Sequence, residues 1–428
     1  MAGRSLAEWL AFQERVHPRA MDFTLERITA LLDRLGVRKP RARVITVGGT
    51  NGKGSVASFL ESMLRAAGRR VGLYTSPHLS RYQERIRIDG AEIDSTRLIE
   101  VFERIEAARR EITLTFFEYA TAAALLAFDD LGVEFIVLEV GLGGRLDAVN
   151  AIDADVAVVA SIGFDHRDYL GDTLEAIGRE KAGIFRNSCP AIFGSLEMPD
   201  SIESEAKRIG ARLERLGADF NYVCEGREWS FRRGALALER LPPPSLEGPV
   251  QYANAATALA ALAAGGWLPD EAAIARGLTS VVLAGRFEVR AGPVAWVFDV
   301  AHNPAAAAAL ARTMRVKAPA GRWLLVTGIL ADKDAEAIAL ELKGALRPGD
   351  GLCTVTLAGE RGRTATELAA ILGPILGRTP VLAESVEAGC AHAAREAQPG
   401  DAVLVFGSFH TVGPAREWHR LYCAEPRR

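Results

Sequence analysis

The chain has 428 residues, 49% of them apolar and 25% charged, enough at roughly 100–200 residues per domain for two or three domains with buried cores. Lys+Arg 51 against Asp+Glu 54 leaves a formal charge of −3, which excludes a broad basic surface for nucleic acid but leaves room for a local pocket that holds an anion. Cys189, Cys224, Cys353, Cys390 and Cys423 are scattered without CxxC or Cys/His spacing, so neither a zinc site nor a disulfide framework is indicated, and free thiols fit a reducing compartment.

Residues 1–23 carry Glu, Gln and Arg early and lack an uninterrupted apolar core, so no signal peptide is read there. No run of about 18 apolar residues occurs, which speaks against a membrane span. The Ala/Gly-rich tract 255–268 suits a packed helix. A cytoplasmic protein without membrane contact is the expectation.

Short β-branched runs alternate with helical patterns, the signature of an α/β fold with a mainly parallel sheet. In chain order the patterns predict a strand over 44–47, a glycine turn and a helix over 52–67. A strand over 71–74 and helices over 96–109 and 117–131 follow. Residues 135–140 and 156–162 are apolar on both faces, as central parallel strands are, and a helix covers 172–182. From 219 to 241 the texture changes to two or three antiparallel strands with Glu-Gly and Arg-Gly turns, before an Ala-rich helix from 251. A boundary near 284–294 divides an N-terminal domain, 1–284, from a smaller α/β domain, 285–428. The second domain alternates strands at 295–299, 323–327, 351–356 and 402–406 with helices at 305–317, 334–345, 365–376 and 385–397.

The chemistry-bearing segments cluster after strands. Between the first strand and its helix stands Thr46-Val-Gly-Gly-Thr-Asn-Gly-Lys-Gly-Ser55. Glycines there let backbone N–H groups turn toward phosphate oxygens at a helix N-terminus, and Lys53 can reach the terminal phosphates. Val47 and Gly54 depart from the general P-loop pattern. Glu139 ends a buried strand and is a candidate Mg²⁺ ligand, since that cation takes hard oxygens and keeps some of its waters. Its plainer role is a salt bridge to Arg145. His166, in Gly163-Phe-Asp-His-Arg-Asp-Tyr-Leu-Gly171, could bind metal or phosphate, against the commoner solvated loop histidine. On spacing alone Lys181 is a solvated surface lysine. Asp332 and Asn303-Pro304 read as helix starts.

Together the segments GTNGKG, LEVGLGGRLDAVN, DHRDYLG, REKAGIFR and FGSFHTVG resemble the folylpolyglutamate synthase/dihydrofolate synthase family, a branch of the Mur-ligase-like ATP-dependent amide ligases. The resemblance runs from about residue 22 to 413. It implies an N-terminal P-loop ATPase domain of Mur-ligase type carrying a small antiparallel β patch and the pterin/folate site, plus a smaller C-terminal α/β glutamate-ligase domain. It implies an ATP cradle of Thr50, Asn51, Gly52, Lys53, Gly54 and Ser55, further ATP contacts from Asn254, Arg286, Asp299 and His302, and magnesium ligands Ser76, Glu139 and His166. By the same resemblance Lys181 is carbamylated, the opposite of the solvated role that spacing suggests.

The dihydropteroate-contacting positions implied are Asp22, Phe23 and Thr24; Thr115, Phe116, Phe117 and Glu118; and Leu146, Asp147 and Ala148. Aromatic rings beside a carboxylate suit a flat heterocycle. Ala305 stands where relatives often carry a second histidine. The implied reaction joins L-glutamate to dihydropteroate and to tetrahydrofolate forms through an acyl phosphate, with ATP and Mg²⁺, in a monomer. Two alternatives are weighed against it. One is a Mur ligase acting on a nucleotide-linked cell-wall precursor, disfavoured because the chain opens directly into the ATPase domain. The other is a nucleotide-binding regulatory protein, disfavoured by Glu139, His166 and Lys181.

Overall fold

The computed structural model describes residues 4–19, 21–226 and 228–423. The chain divides into two compact units, Met1–Ser245 with Tyr252–Val281, and Leu246–Gln251 with Val282–Arg428. Both are α/β, and among the described residues no helix is long and apolar enough to cross a membrane.

The first unit is built on eight strands: β1 (Arg43–Gly48), β2 (Val71–Tyr74), β3 (Ile86–Ile88), β4 (Ala91–Glu92), β5 (Phe135–Glu139), β6 (Val156–Val159), β7 (Pro190–Phe193) and β8 (Arg212–Arg215). Their order is β4-β3-β2-β5-β1-β6-β7-β8. The six strands from β2 to β8 in that order are parallel, and β3 and β4 extend the edge antiparallel. The central strands β1, β5 and β6 are buried on both faces, which is why they read as continuous Val/Ile/Leu runs.

From β1 the chain travels to β2 on one side; after β5 it crosses to β6 on the other. Such a reversal opens a crevice beyond the carboxyl ends of the strands, where open α/β sheets bind their ligands. The expected strand over 156–162 stops at Val159. Beyond it the polar groups of Ser161 and Gly163 bond the loop after β1 instead of a strand.

Strands β9 (Phe220–Glu225), β10 (Glu228–Arg233) and β11 (Leu236–Leu241) form a separate antiparallel sheet, as the texture change predicts. Residue 227, inside that stretch, lies outside the described residues. Both turns use a glycine with positive φ, Gly226 at 63° and Gly234 at 56°, a conformation that costs other residues a Cβ clash.

The second unit carries β12 (Glu288–Arg290), β13 (Ala295–Asp299), β14 (Trp323–Thr327), β15 (Gly351–Val355), β16 (Val381–Ala383) and β17 (Ala402–Phe406), in the order β12-β13-β17-β14-β15-β16. All but β12 run parallel. Its core gathers Trp323, Leu325, Leu404 and Phe406 with Leu310, Met314 and Leu368 from the helices. Helix Pro304–Val316 starts on Asn303, whose side chain accepts from the Ala306 N–H at 2.9 Å, as expected. Asp332 is not a cap: it pairs with Arg361 at 2.7 Å, and Asp334 caps helix Ala335–Lys343.

Candidate active site

The loop after β1 sits at the crevice and enters helix Lys53–Ala66 through Gly52, at φ 86°. A Cβ on Gly52 would lie 2.7 Å from Asn254 Oδ1, and one on Gly49, at φ 135°, would lie 3.0 Å from the amide nitrogens of Ala160 and Ser161. Only glycine fits either position, and its absent side chain keeps the backbone N–H groups open to a ligand. The same contact brings Asn254, on helix Val250–Gly265, to the loop. Gly54 and Ser55 form the buried first turn of the helix.

This loop is stitched to the segment after β6. The Thr50 amide donates to Ser161 O at 2.7 Å, and the Asn51 amide to Ser161 Oγ at 3.1 Å. The Thr50 hydroxyl gives a bond to Gly163 O and takes one from the Gly163 amide. Lys53 Nζ donates to the carbonyls of Gly49 and Thr50 at 3.0 and 3.2 Å, so the ammonium lies along the cradle rather than out in solvent.

Lys181, at the end of helix Leu174–Ala182, overturns the surface reading from spacing. It is buried, and its Nζ donates to Gly49 O at 3.0 Å. Burial pulls its amine down to about 7, and the charge of Lys53 adds to the effect while Asp165 and Asp147 oppose it. Gly144 explains how the lysine reaches the interior. A Cβ there would lie 2.8 Å from the carbonyl oxygens of Glu180 and Lys181, so the GLGG turn packs directly on this helix.

The candidate metal ligands come from three strand ends. Glu139 is the last residue of β5, and its Oε2 accepts from the Ser76 amide at 3.1 Å, just beyond β2. The alternative role for Glu139, a salt bridge to Arg145, is not what the structure has: Arg145 pairs with Glu180 at 2.9 Å. His166 follows β6 in the left-handed region, at φ 51°, with its Nε2 3.9 Å from Asp165 Oδ1. Among the described residues no group of three or more His, Cys, Asp or Glu side chains could cage an ion. A set of one carboxylate, one hydroxyl and one imidazole fits a hard cation that keeps waters and takes phosphate oxygens.

The three segments implied for the pterin also converge. Arg27 joins Asp22 at 3.3 Å to Glu118 at 3.2 Å. Glu118 in turn accepts from the Thr115 amide and hydroxyl, closing the capping box of helix Phe116–Asp130. Asp22 also bonds His17 at 3.2 Å. Burial raises the Asp22 carboxyl, but the His17 bond and the Arg27 charge outweigh it and hold the group below its usual range. Thr24 donates its amide to Asp22 O, and the exposed Phe23 meets Tyr169 edge-on at 5.4 Å.

Phe117 lies against Tyr74 and Gly141. Asp147 is buried beside it, accepting from the amides of Gly141, Leu142 and Val149. Desolvation pushes its carboxyl up to about 6 against those three bonds. Leu146 is half-buried and Ala148 buried at the start of the short 3-10 turn that Asp147 caps.

In the second unit, Asp299 ends β13 and accepts from the amides of Phe287 and Ala301, each at 2.8 Å. Burial raises its carboxyl, opposed first by the Arg286 charge. Those bonds hold Phe287 at φ 45° and fix the backbone from which Arg286 extends over the ring of Phe409, 5.6 Å from its centroid. His302 bonds Val300 O through Nδ1 at 2.8 Å.

Sequence reasoning missed Ser161, Asp165 and Arg27. Ser161 and Asp165 lie in a post-strand segment whose one distinctive residue, by type, is the histidine. Arg27 gave no signal, being one of two arginines on helix Glu26–Leu35 with no motif around it.

Residues 47–195 match the family described as Mur ligase middle domain, and residues 285–409 the Mur ligase, glutamate ligase domain. A dihydrofolate synthase/folylpolyglutamate synthase of Escherichia coli (strain K12) is 46% identical over 416 residues, covering 97% of this chain and 96% of the relative. The chain belongs to the dihydrofolate synthase/folylpolyglutamate synthase family. The solved structure of E. coli FolC in complex with DHPP and ADP superimposes with a TM-score of 0.93 at 45% identity, over 99% of this chain and 100% of the other. Another family structure, with Mn, AMPPNP and L-glutamate bound, has a TM-score of 0.88 at 40% identity and covers 98% of each chain. Full-length matches of this kind leave neither the cell-wall ligase nor the regulatory protein as a competing assignment.

Proposed function

We infer that the protein is an ATP-dependent, ADP-forming amide ligase that adds L-glutamate to dihydropteroate, forming dihydrofolate, and to reduced folates, forming folylpolyglutamates. The observation that carries this reading is the glycine cradle stitched to the His166 loop, with Lys53 and the buried Lys181 both bonded to Gly49 O. Relatives over the whole length of the chain bear that name, and solved family structures hold ADP, an ATP analogue, manganese and glutamate.

A carboxylate resists an amine because its leaving group would be oxide. Transfer of the γ-phosphoryl of ATP to the carboxylate oxygen releases ADP and gives an acyl phosphate. The glutamate amine then adds to the carbonyl carbon, and phosphate leaves with the former carboxylate oxygen as the amide forms. The protein's part is positioning and charge neutralisation. The cradle Thr50–Ser55 would hold the phosphates through the amides of Gly52, Lys53, Gly54 and Ser55 and the Lys53 ammonium, with the Thr50 and Asn51 amides tied to Ser161 and Asn254, Arg286, Asp299 and His302 as further nucleotide contacts. Ser76, Glu139 and His166 would hold the divalent cation, assigned as Mg²⁺, whose chemistry is to screen phosphate charge and stabilise charge on the transferring group.

Lys181 suits carbamylation, because CO₂ adds to a neutral amine and a lysine pulled down to about 7 is substantially neutral near physiological pH. Asp22, Phe23, Thr24, Thr115, Phe116, Phe117, Glu118, Leu146, Asp147 and Ala148 would receive the pterin. Residues 1–284 supply the ATPase and pterin functions, and 285–428 the glutamate-ligase portion, in a cytoplasmic monomer.

The test is ADP release with L-glutamate and either dihydropteroate or tetrahydrofolate, run separately, with ¹⁸O in the acceptor carboxylate. Glutamate-dependent ADP and label in the released phosphate are expected. Unlabelled phosphate overturns the acyl-phosphate route.

A further inference from the structure

Arg85 is a buried arginine, 7% exposed, that the mechanism above leaves without a task. Among the described residues no carboxylate lies within ion-pair reach of it. Its Nε donates to His78 Nδ1 at 2.7 Å, and its guanidinium lies 5.3 Å from the ring centroid of Phe116 and 5.6 Å from that of Tyr82. The adjacent carboxylate is committed elsewhere: Glu84 accepts from the amides of Leu79, Ser80 and Arg81. A buried cation without a counter-charge is costly, and a guanidinium is shaped to take a carboxylate through two parallel N–H bonds.

Its surroundings say where such an anion would come from. Phe116 belongs to the segment assigned to the pterin substrate. Tyr74 feels the charges of both Arg85 and Asp147 and packs on Phe117. Two residues beyond Tyr74, Ser76 bonds Glu139. Arg85 thus lies against Phe116, of the segment suited to the heterocycle, while its carbonyl accepts from the Thr75 amide, next to the Ser76 suited to the metal, a place that suits the reacting end of an extended substrate.

We propose that Arg85 binds the carboxylate of the acceptor substrate, supplying the positive charge that this anion needs on leaving water and orienting its oxygens for phosphoryl transfer. The proposal rests on the folate reading above.

The test is calorimetric titration, with ADP present, of the wild type, Arg85→Gln and Arg85→Lys against dihydropteroate and against the same pterin lacking its benzoate carboxylate. ADP is titrated separately. Arg85→Gln is expected to weaken dihydropteroate about 10–100-fold while leaving the decarboxylated pterin and ADP within about twofold. Arg85→Lys, which keeps the charge but loses the planar fork, falls between and carries the comparison if the glutamine variant does not fold. Equal losses on both pterins, or no loss, would reduce Arg85 to a packing role and overturn the proposal. A loss confined to ADP would give the anion site to nucleotide phosphate and overturn it too. A wild type that binds ADP but neither pterin fails earlier, at the folate reading itself.

Discussion

Lys53 and Lys181 share an acceptor, Gly49 O, and nearly opposite fates on sequence evidence. Lys53 is legible because a lysine after a glycine turn at a helix start has a mechanism attached to it. Lys181 is not, because its burial depends on Gly144 allowing a distant turn to pack on its backbone, a contact that no local pattern encodes. Lys53→Ala is expected to lower glutamate-dependent ADP release by at least about 100-fold, as removal of a group that stabilises developing charge does, with an unchanged melting curve. Lys181 yields a pH prediction. Its pKa in the folded state, about 7, lies below that of a free lysine, near 10.4, so between those values the unfolded chain binds more protons and stability rises with pH. In CO₂-free buffer, Lys181→Met should flatten that rise by up to about 1.4 kcal/mol per pH unit. Urea melts from pH 7.5 to 9.5 measure it, and an unaltered slope would return the lysine to an ordinary environment.

At the level of elements, the buried parallel strands are the clearest feature of the sequence. Residues 71–74, 295–299, 323–327 and 402–406 are strands with the expected limits, since strands covered on both faces need unbroken apolar runs. Short edge strands such as β12 and β16 carry no such run and leave no comparable signal. Helix Phe409–Tyr422 is hidden by its Gly413-Pro414 pair, which reads as a loop until the fold supplies the context. Two substitutions probe the elements that frame the site. Gly52→Ala forces a Cβ into a left-handed residue facing Asn254, and should cost about 1–2 kcal/mol in stability while weakening ADP measurably by titration. Thr115→Ala opens the capping box of helix Phe116–Asp130 and should cost about 1 kcal/mol, read as a lower melting midpoint, with poorer dihydropteroate binding because Glu118 loses the hydroxyl bond and keeps only the Thr115 amide and Arg27.

On the scale of the whole molecule, the chain forms two compact α/β units, each with a parallel-sheet core of its own. Scanning calorimetry should resolve two unfolding transitions, and Leu404→Ala, at a fully buried position in the second core, should lower one of them by about 2–5 kcal/mol. A single transition displaced as a whole would mean that the cores melt together. The bipartite plan is legible in the sequence through the change of texture and the second run of strand–helix alternation. Which loops touch is not, because those contacts join residues far apart in the chain, 63 positions for Ser76 with Glu139 and 132 for Gly49 with Lys181. The hydrogen bonds tying Thr50 and Asn51 to Ser161 and Gly163 join the glycine loop after β1 and the stretch leading to His166 into one hydrogen-bonded body. On the proposed assignment of the nucleotide to this loop and the divalent ion to His166, whatever steadies one end steadies the other, and heterotropic reciprocity holds: the factor by which ADP changes the ion's affinity must equal the factor by which the ion changes that of ADP.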